Sequence, residues 1–151
     1  MEGKIFVYAA GVFDFLHYGH VRYLEAARKL GDVLVVGLLT DEGTARYKRR
    51  PLLSYEQRWE TVRALRCVDY IVRQEDTDPT NTLKILKKEH NWTFDILCRG
   101  DDFQGVVPGT EFIEACGGRV IRIPYCQEIS SIKIKEYFAQ FFKELFSRRR
   151  Q

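Results

Sequence analysis

The sequence predicts an α/β domain: a five-stranded, mostly parallel sheet covered by helices on both faces. Three observations carry this reading. Apolar strand-like runs alternate with helical stretches along the whole chain. Those runs show little of the period-2 alternation expected of a sheet with one wet face. The 151 residues are enough for one domain around one hydrophobic core.

Taken in order, Ile5–Ala10 is the first strand, and a helical pattern runs from Tyr18 to Leu30, where Gly31 ends it. Val33–Leu39 is the second strand, followed by a polar loop from Thr40 to Pro51. Ser54, with Gln57 three residues later, forms a capping box for the helix Tyr55–Arg66. Tyr70–Val72 is the third strand, and Pro79 stands at the start of the helix Thr80–His90. Asp95–Cys98 is the fourth strand, Thr110–Cys116 a short helix ended by Gly117-Gly118, and Val120–Ile123 the fifth strand. The last helix, Ser131–Phe146, carries Ile134, Tyr137, Phe138, Phe141, Phe142, Leu145 and Phe146 at i, i+3, i+4 spacing. Core packing explains such a stripe by default; its aromatic density also suits a subunit interface. Residues 1–147 form the domain and 148–151 a basic tail.

Composition narrows the function classes. The formal charge is only +3, and Arg148–Arg150 supply much of it, so a solvated tail is the plain reading. No aromatic-interleaved basic stripe accompanies it, which argues against nucleic acid as a partner. No apolar run is long enough to span a bilayer, so no membrane contact is expected. Cys67, Cys98, Cys116 and Cys126 form no CxxC pair, and three of them sit in apolar runs, which suits a reducing cytoplasm.

Ligands of a parallel sheet collect beyond the carboxyl ends of its strands. Gly11–His20, Thr40–Pro51, Arg99–Gly105 and Tyr125–Ser131 all follow strands and should converge on one rim. The first carries the strongest signal: Gly11-Val12-Phe13-Asp14-Phe15-Leu16-His17-Tyr18-Gly19-His20. Strand, Gly turn and helix start is the layout that turns backbone N–H groups and a helix dipole toward a phosphate. His17 and His20, at i and i+3, project from one face toward the same point. A phosphate cradle beside paired imidazoles points to chemistry on a phosphoanhydride. An HxxH metal half-site is the alternative, but no further Cys or His is placed to complete a shell. Asp14 suits a loop-ordering role through backbone N–H bonds.

This segment resembles the signature of the cytidylyltransferase-like nucleotidyltransferases, a Gly-x-Phe-Asp start followed by His-x-Gly-His. The resemblance covers nearly the whole chain. Leu30-Gly31-Asp32, Thr40-Asp41-Glu42, Ser54-Tyr55-Glu56-Gln57-Arg58, Arg66-Cys67-Val68-Asp69, Arg99-Gly100-Asp101-Asp102 and Ile129-Ser130-Ser131-Ile132-Lys133 all fall in family order. The look is closest to glycerol-3-phosphate cytidylyltransferases, with heptose-phosphate adenylyltransferases not far behind. The resemblance implies a Rossmann-like three-layer sandwich of nucleotidyltransferase type. It also implies transfer of CMP from CTP, with Mg²⁺, onto a small phosphorylated alcohol or sugar, releasing pyrophosphate. Adenylyl transfer from ATP to a sugar phosphate of the heptose type is the alternative, and a catalytically idle nucleotide-binding regulator is another. A homodimer follows from the same likeness.

Residue by residue, the resemblance makes His17, His20 and Lys48 catalytic. Gly11, Val12, Phe13, Gly19, Asp101, Ile129, Ser130 and Ser131 join the two histidines around the nucleotide. Lys48, Arg49 and Arg58 hold the substrate, and no protein metal site is implied. Lys48-Arg49-Arg50 reads equally as a solvated charge run, and Arg49 can take the place of Lys48 if the register shifts by one. Arg58 reads equally as a surface ion-pair residue, Asp101 as a turn former, and Ser130 as a helix cap. The chain departs from the glycerol-3-phosphate pattern at Tyr125-Cys126-Gln127-Glu128, where those enzymes carry Arg-Thr-Glu-Gly. Val12 stands where they have Thr and matches heptose-phosphate and some choline-type relatives instead.

Overall fold

A computed structural model of the chain describes residues 3–124, 126 and 128–148. The elements are β1 (Phe6–Gly11), α1 (Tyr18–Arg28), β2 (Val33–Leu39), α2 (Asp41–Ala45), α3 (Tyr55–Arg63), β3 (Tyr70–Gln74), α4 (Thr80–His90), β4 (Ile96–Gly100), α5 (Thr110–Ala115), β5 (Arg119–Ile123) and α6 (Ser131–Arg148). The five strands form one sheet in the order β3-β2-β1-β4-β5, and all its pairings are parallel.

Side chains of β1 divide between two cores, as strand geometry requires. Phe6, Tyr8 and Ala10 meet Leu83 and Leu86 of α4 and Ile113 of α5 on one face. Val7 and Ala9 meet Leu24 and Ala27 of α1 and Val62 of α3 on the other. All of β2 is buried, which is why the central strands read as continuous apolar runs. At the opposite end of the sheet from the strand tips, carboxylates hold the strand entries: Asp32, Asp95 and Asp69 accept from the N–H groups of Ile5, Phe6 and Leu34.

The predicted capping box is present, with Ser54 and Gln57 bonding each other's backbone N–H. Two expectations are corrected. The loop after β2 begins with the helix α2, whose start is capped by the Thr40 hydroxyl. The aromatic stripe of α6 is not core: Tyr137, Phe138, Phe141, Phe142 and Phe146 are all exposed, the least of them 48%. Both faces of the sheet are already covered by other helices, so this stripe finds no apolar surface of the domain to bury against. Tyr125, Gln127 and residues 149–151 lie outside the described residues, so the departure at Tyr125–Glu128 is seen only at Cys126 and Glu128.

Candidate active site

The chain leaves β1 toward α1 and β2, and leaves β4 toward α5 and β5 on the other side, so a crevice opens between the tips of these neighbouring strands. A cavity of about 460 Å³ occupies it, walled by Gly11, Val12, Phe13, His17, Gly19 and His20 from the first crossover. Tyr47 and Lys48, Arg99 and Asp102, and Ile129, Ser130 and Ser131 supply its other walls. All four predicted rim segments therefore reach this cavity, though Arg49 of the second is not on its wall. In the third, Asp102 rather than Asp101 lines the cavity.

Local backbone geometry sets up the first wall. Phe13 and Phe15 have φ of 52° and 50°, a left-handed conformation that costs a non-glycine residue on the order of 1 kcal/mol or more. The turn folds the Phe13 ring back over Gly11, where a Cβ would lie 2.7 Å from it, so any side chain there would have to displace that buried ring. His17 is the N-cap of α1, its Nδ1 accepting from the Gly19 N–H at 3.1 Å. Nδ1 is thus the acceptor, and a neutral His17 carries its proton on Nε2. His17 Nε2 and His20 Nδ1 are buried and have no hydrogen-bond partner. The two rings stack with centroids 3.8 Å apart. The first turn of α1 contains no acidic residue to offset the helix dipole.

Electrostatics keep both imidazoles neutral. Burial lowers His17. Burial also pushes His20 down to about 3, helped by His17 and Lys48 and opposed by Asp14. Lys48 is lowered by burial and by the neighbouring cations Lys135, Arg99 and Arg58, with Asp14 acting against them. The cavity wall gathers the two imidazoles, Lys48 and Arg99, with Asp102 as a carboxylate among them.

Two residues hold this assembly together. Asp14 accepts from the N–H groups of Leu52 and Leu53 and pairs with Lys135 Nζ at 2.8 Å. Burial alone would raise its carboxyl, but Lys135 and those N–H groups outweigh it and hold Asp14 below the ordinary carboxylate range. Ser131 Oγ donates to the Asp14 carbonyl, so the start of α6 is tied to the first crossover. The loop-ordering role expected of Asp14 is what its bonds perform; Lys135, which no local sequence signal marked, completes it.

Arg58 is the correction. The expectation that it binds substrate does not fit its place, because its side chain is fully buried. Its guanidinium donates to the carbonyls of Val12, Leu39 and Leu53 and to Asp41 at 2.6 Å. It shapes the site from behind. Arg49 does line a second cavity of about 670 Å³, which Lys48, Lys135 and His20 also border. Ser130 caps α6 through the Lys133 N–H while facing the first cavity. Among the described residues no group of three or more His, Cys, Asp or Glu could hold a metal ion. No described helix is long and apolar enough to cross a membrane.

Acid should weaken this fold before it protonates the carboxylates. An unfolded histidine titrates near 6.5, and folded His20 near 3, so between these values the unfolded chain binds the extra proton. Stability then rises with pH across that window. The penalty for burying a neutral imidazole is absent above about pH 6.5 and grows as pH falls toward 3. Asp14, held below the ordinary carboxylate range, adds a dependence of the same sign at lower pH, its contribution being lost only as pH falls below that range. The unfolding free energy from urea titrations is expected to fall between pH 7 and 5 with a limiting slope of about 1.4 kcal/mol per pH unit for His20. His20→Phe, which keeps a ring against His17, should flatten that slope. Equal slopes in the two proteins would show that His20 is not held neutral.

Comparison with known proteins agrees with this geometry. A family model described as cytidylyltransferase-like matches residues 8–137. The chain is 40% identical over 139 residues to the bifunctional protein HldE of Trichlorobacter lovleyi, and 43% identical to that of Citrifermentans bemidjiense. Each match covers 89% of this chain and 27% of the relative, so the chain spans about a quarter of the length of these curated relatives. A crystal structure of the lipopolysaccharide core biosynthesis protein from Thermoplasma volcanium superposes with a TM-score of 0.68 at 29% identity, covering 84% of this chain and all of that one. A protein of unknown function from Archaeoglobus fulgidus, 20% identical, shares the fold with a TM-score of 0.57 over 83% of this chain and 94% of its own.

Proposed function

The chain belongs to the cytidylyltransferase-like family of nucleotidyltransferases, and from that premise we propose that it moves a nucleoside monophosphate, AMP in preference to CMP, from its triphosphate to a small sugar phosphate. The observation that carries the reading is the pair of stacked imidazoles, each with a buried ring nitrogen that has no partner, at a helix N-terminus with no acidic residue in its first turn, walled by Lys48 and Arg99. Such a site fits a polyanion and supplies donors where charge develops on an α-phosphate.

In the reaction, an oxygen of the acceptor phosphate forms a bond to the α-phosphorus while the bond to the bridging oxygen of the β-phosphate breaks. Pyrophosphate leaves with that electron pair. The acceptor is already anionic, so no side chain need remove a proton; fixed donors and cations do the work. His17 Nε2–H, His20, the N–H groups of Val12 and Phe13, and Ser130 and Ser131 are assigned to the triphosphate, with Lys48 bridging two phosphates. Magnesium belongs to the substrate, arriving on the triphosphate oxygens, since the site offers imidazoles and ammonium groups rather than a cluster of carboxylates.

Two features favour ATP and a sugar phosphate over CTP and glycerol 3-phosphate. Val12 is the residue of heptose-phosphate and some choline-type relatives rather than of the glycerol-3-phosphate enzymes, and the Arg-Thr-Glu-Gly segment of the latter is absent. The name of the Thermoplasma relative, in lipopolysaccharide core biosynthesis, supports an acceptor of the sugar kind. The four free cysteines support a cytoplasmic setting, and the exposed aromatic face of α6 supports pairing of two copies.

Pyrophosphate release, measured with ATP and with CTP against phosphorylated sugars and polyols, tests the reading. Fastest release is expected with ATP and a sugar phosphate. Preference for CTP with glycerol 3-phosphate would restore the cytidylyltransferase alternative, and no release with any pair would overturn the reading.

A further inference from the structure

Arg99 is a cation on the cavity wall to which no phosphate of the triphosphate has been assigned. It stands on β4 one residue beyond the Cys98–Ala9 pairing, so it enters the crevice from the strand facing the His17–His20 crossover. Its side chain lies over an aromatic face: the guanidinium carbon is 4.6 Å from the centre of the Phe103 ring. That ring packs against the core, and Arg122 reaches across from β5 to tie its backbone, donating to the carbonyls of Phe103 and Gly105. Stacking on a held ring orients the planar guanidinium and leaves its N–H edges free. The charge is also felt across the cavity, where Arg99 adds to the lowering of Lys48 that burial begins and opposes the rise that burial imposes on Tyr47.

Nucleotidyl transfer brings two anions to one phosphorus, and in-line displacement requires them to approach from opposite sides. The imidazoles, the amides of the first crossover and the α6 serines gather on the triphosphate. The attacking phosphate therefore needs a cation of its own, placed away from that cluster and shaped for two oxygens. We infer that Arg99, stacked on Phe103 at the tip of β4, binds the phosphate of the acceptor and so makes a phosphorylated compound the preferred acceptor. This rests on the sugar-phosphate reading above.

The test uses Arg99→Gln and Arg99→Lys, with KM for the acceptor found in the pyrophosphate assay and ATP affinity measured by calorimetry without acceptor. Losing a charged, two-pronged contact to a phosphate is expected to raise acceptor KM by about 10- to 100-fold. ATP affinity should change by less than about threefold, kcat at saturating acceptor should fall much less than kcat/KM, and Arg99→Lys should recover part of the loss. Glutamine keeps a stem over Phe103, and an unchanged thermal midpoint will show that the fold is intact. An unaltered acceptor KM in Arg99→Gln overturns the inference while leaving the proposed function standing. A parallel loss of ATP affinity overturns it too, by moving Arg99 to the nucleotide. If the unsubstituted protein turns over no sugar phosphate, the proposed function fails and the inference with it.

Discussion

Replacing His17 or His20 by alanine is expected to lower kcat by about two orders of magnitude or more, the loss typical of removing a donor aimed at developing negative charge. Both rings are held for this task at a cost. Each has a buried ring nitrogen without a partner, and burial keeps each neutral at physiological pH. A neutral imidazole donates one N–H, and in His17 the Gly19 bond leaves that proton on Nε2. The two positions can be separated by experiment, because His17 also caps α1. His17→Asn keeps a good capping residue, so it should recover stability lost in His17→Ala without recovering turnover. His20→Ala removes no cap and should lower kcat with a smaller change in thermal midpoint. Lys48→Ala should behave like the histidine variants. A harmless Lys48→Ala beside a crippled Arg49→Ala would shift the phosphate-bridging role by one residue. Near-native turnover in both histidine variants would remove the chemistry from this crossover.

The sheet and the convergence of its loops were legible in the sequence because burial on both faces leaves a plain mark, an apolar run without alternation. Capping chemistry was legible for the same reason: Ser54 and Gln57 carry their partners within one helical turn. The helix α2 also had a local signature, Thr40 followed by Asp41 and Glu42, but its five residues with Gly43 among them are too few for periodicity to register. At Arg99–Asp102 the sequence shows two adjacent aspartates, and only the bend at the strand end decides that Asp102 faces the cavity. Lys135 and Arg58 were illegible for a different reason. Their partners lie 121 and between 5 and 46 residues away, so no spacing rule connects them.

Arg58→Ala is expected to destabilise the fold by roughly 3–5 kcal/mol, the range for breaking a buried ion pair by removing one partner. The sequence around it, with Glu56, Gln57 and Glu60, reads as a wet helix face. Instead the guanidinium gathers four chain segments at the site: Val12 after β1, Leu39 at the end of β2, Leu53 before α3, and Asp41 of α2. Truncation leaves three carbonyls and a carboxylate short of a donor, several of them away from water, and each unpaired group costs on the order of 1–3 kcal/mol unless solvent reaches it. Arg58→Lys should recover little, because one ammonium cannot reproduce a fork that spans all four acceptors. Urea unfolding at pH 7 measures the loss, and a change under about 1 kcal/mol would show that the clamp is redundant. The same variant should also lose turnover under conditions where it remains folded. The carbonyl of Val12 is what Arg58 holds, and the N–H of Phe13 belongs to that same peptide unit, so releasing one face of the peptide frees the other. A folded Arg58→Ala protein with full turnover would mean that the first crossover keeps its shape without being held from behind.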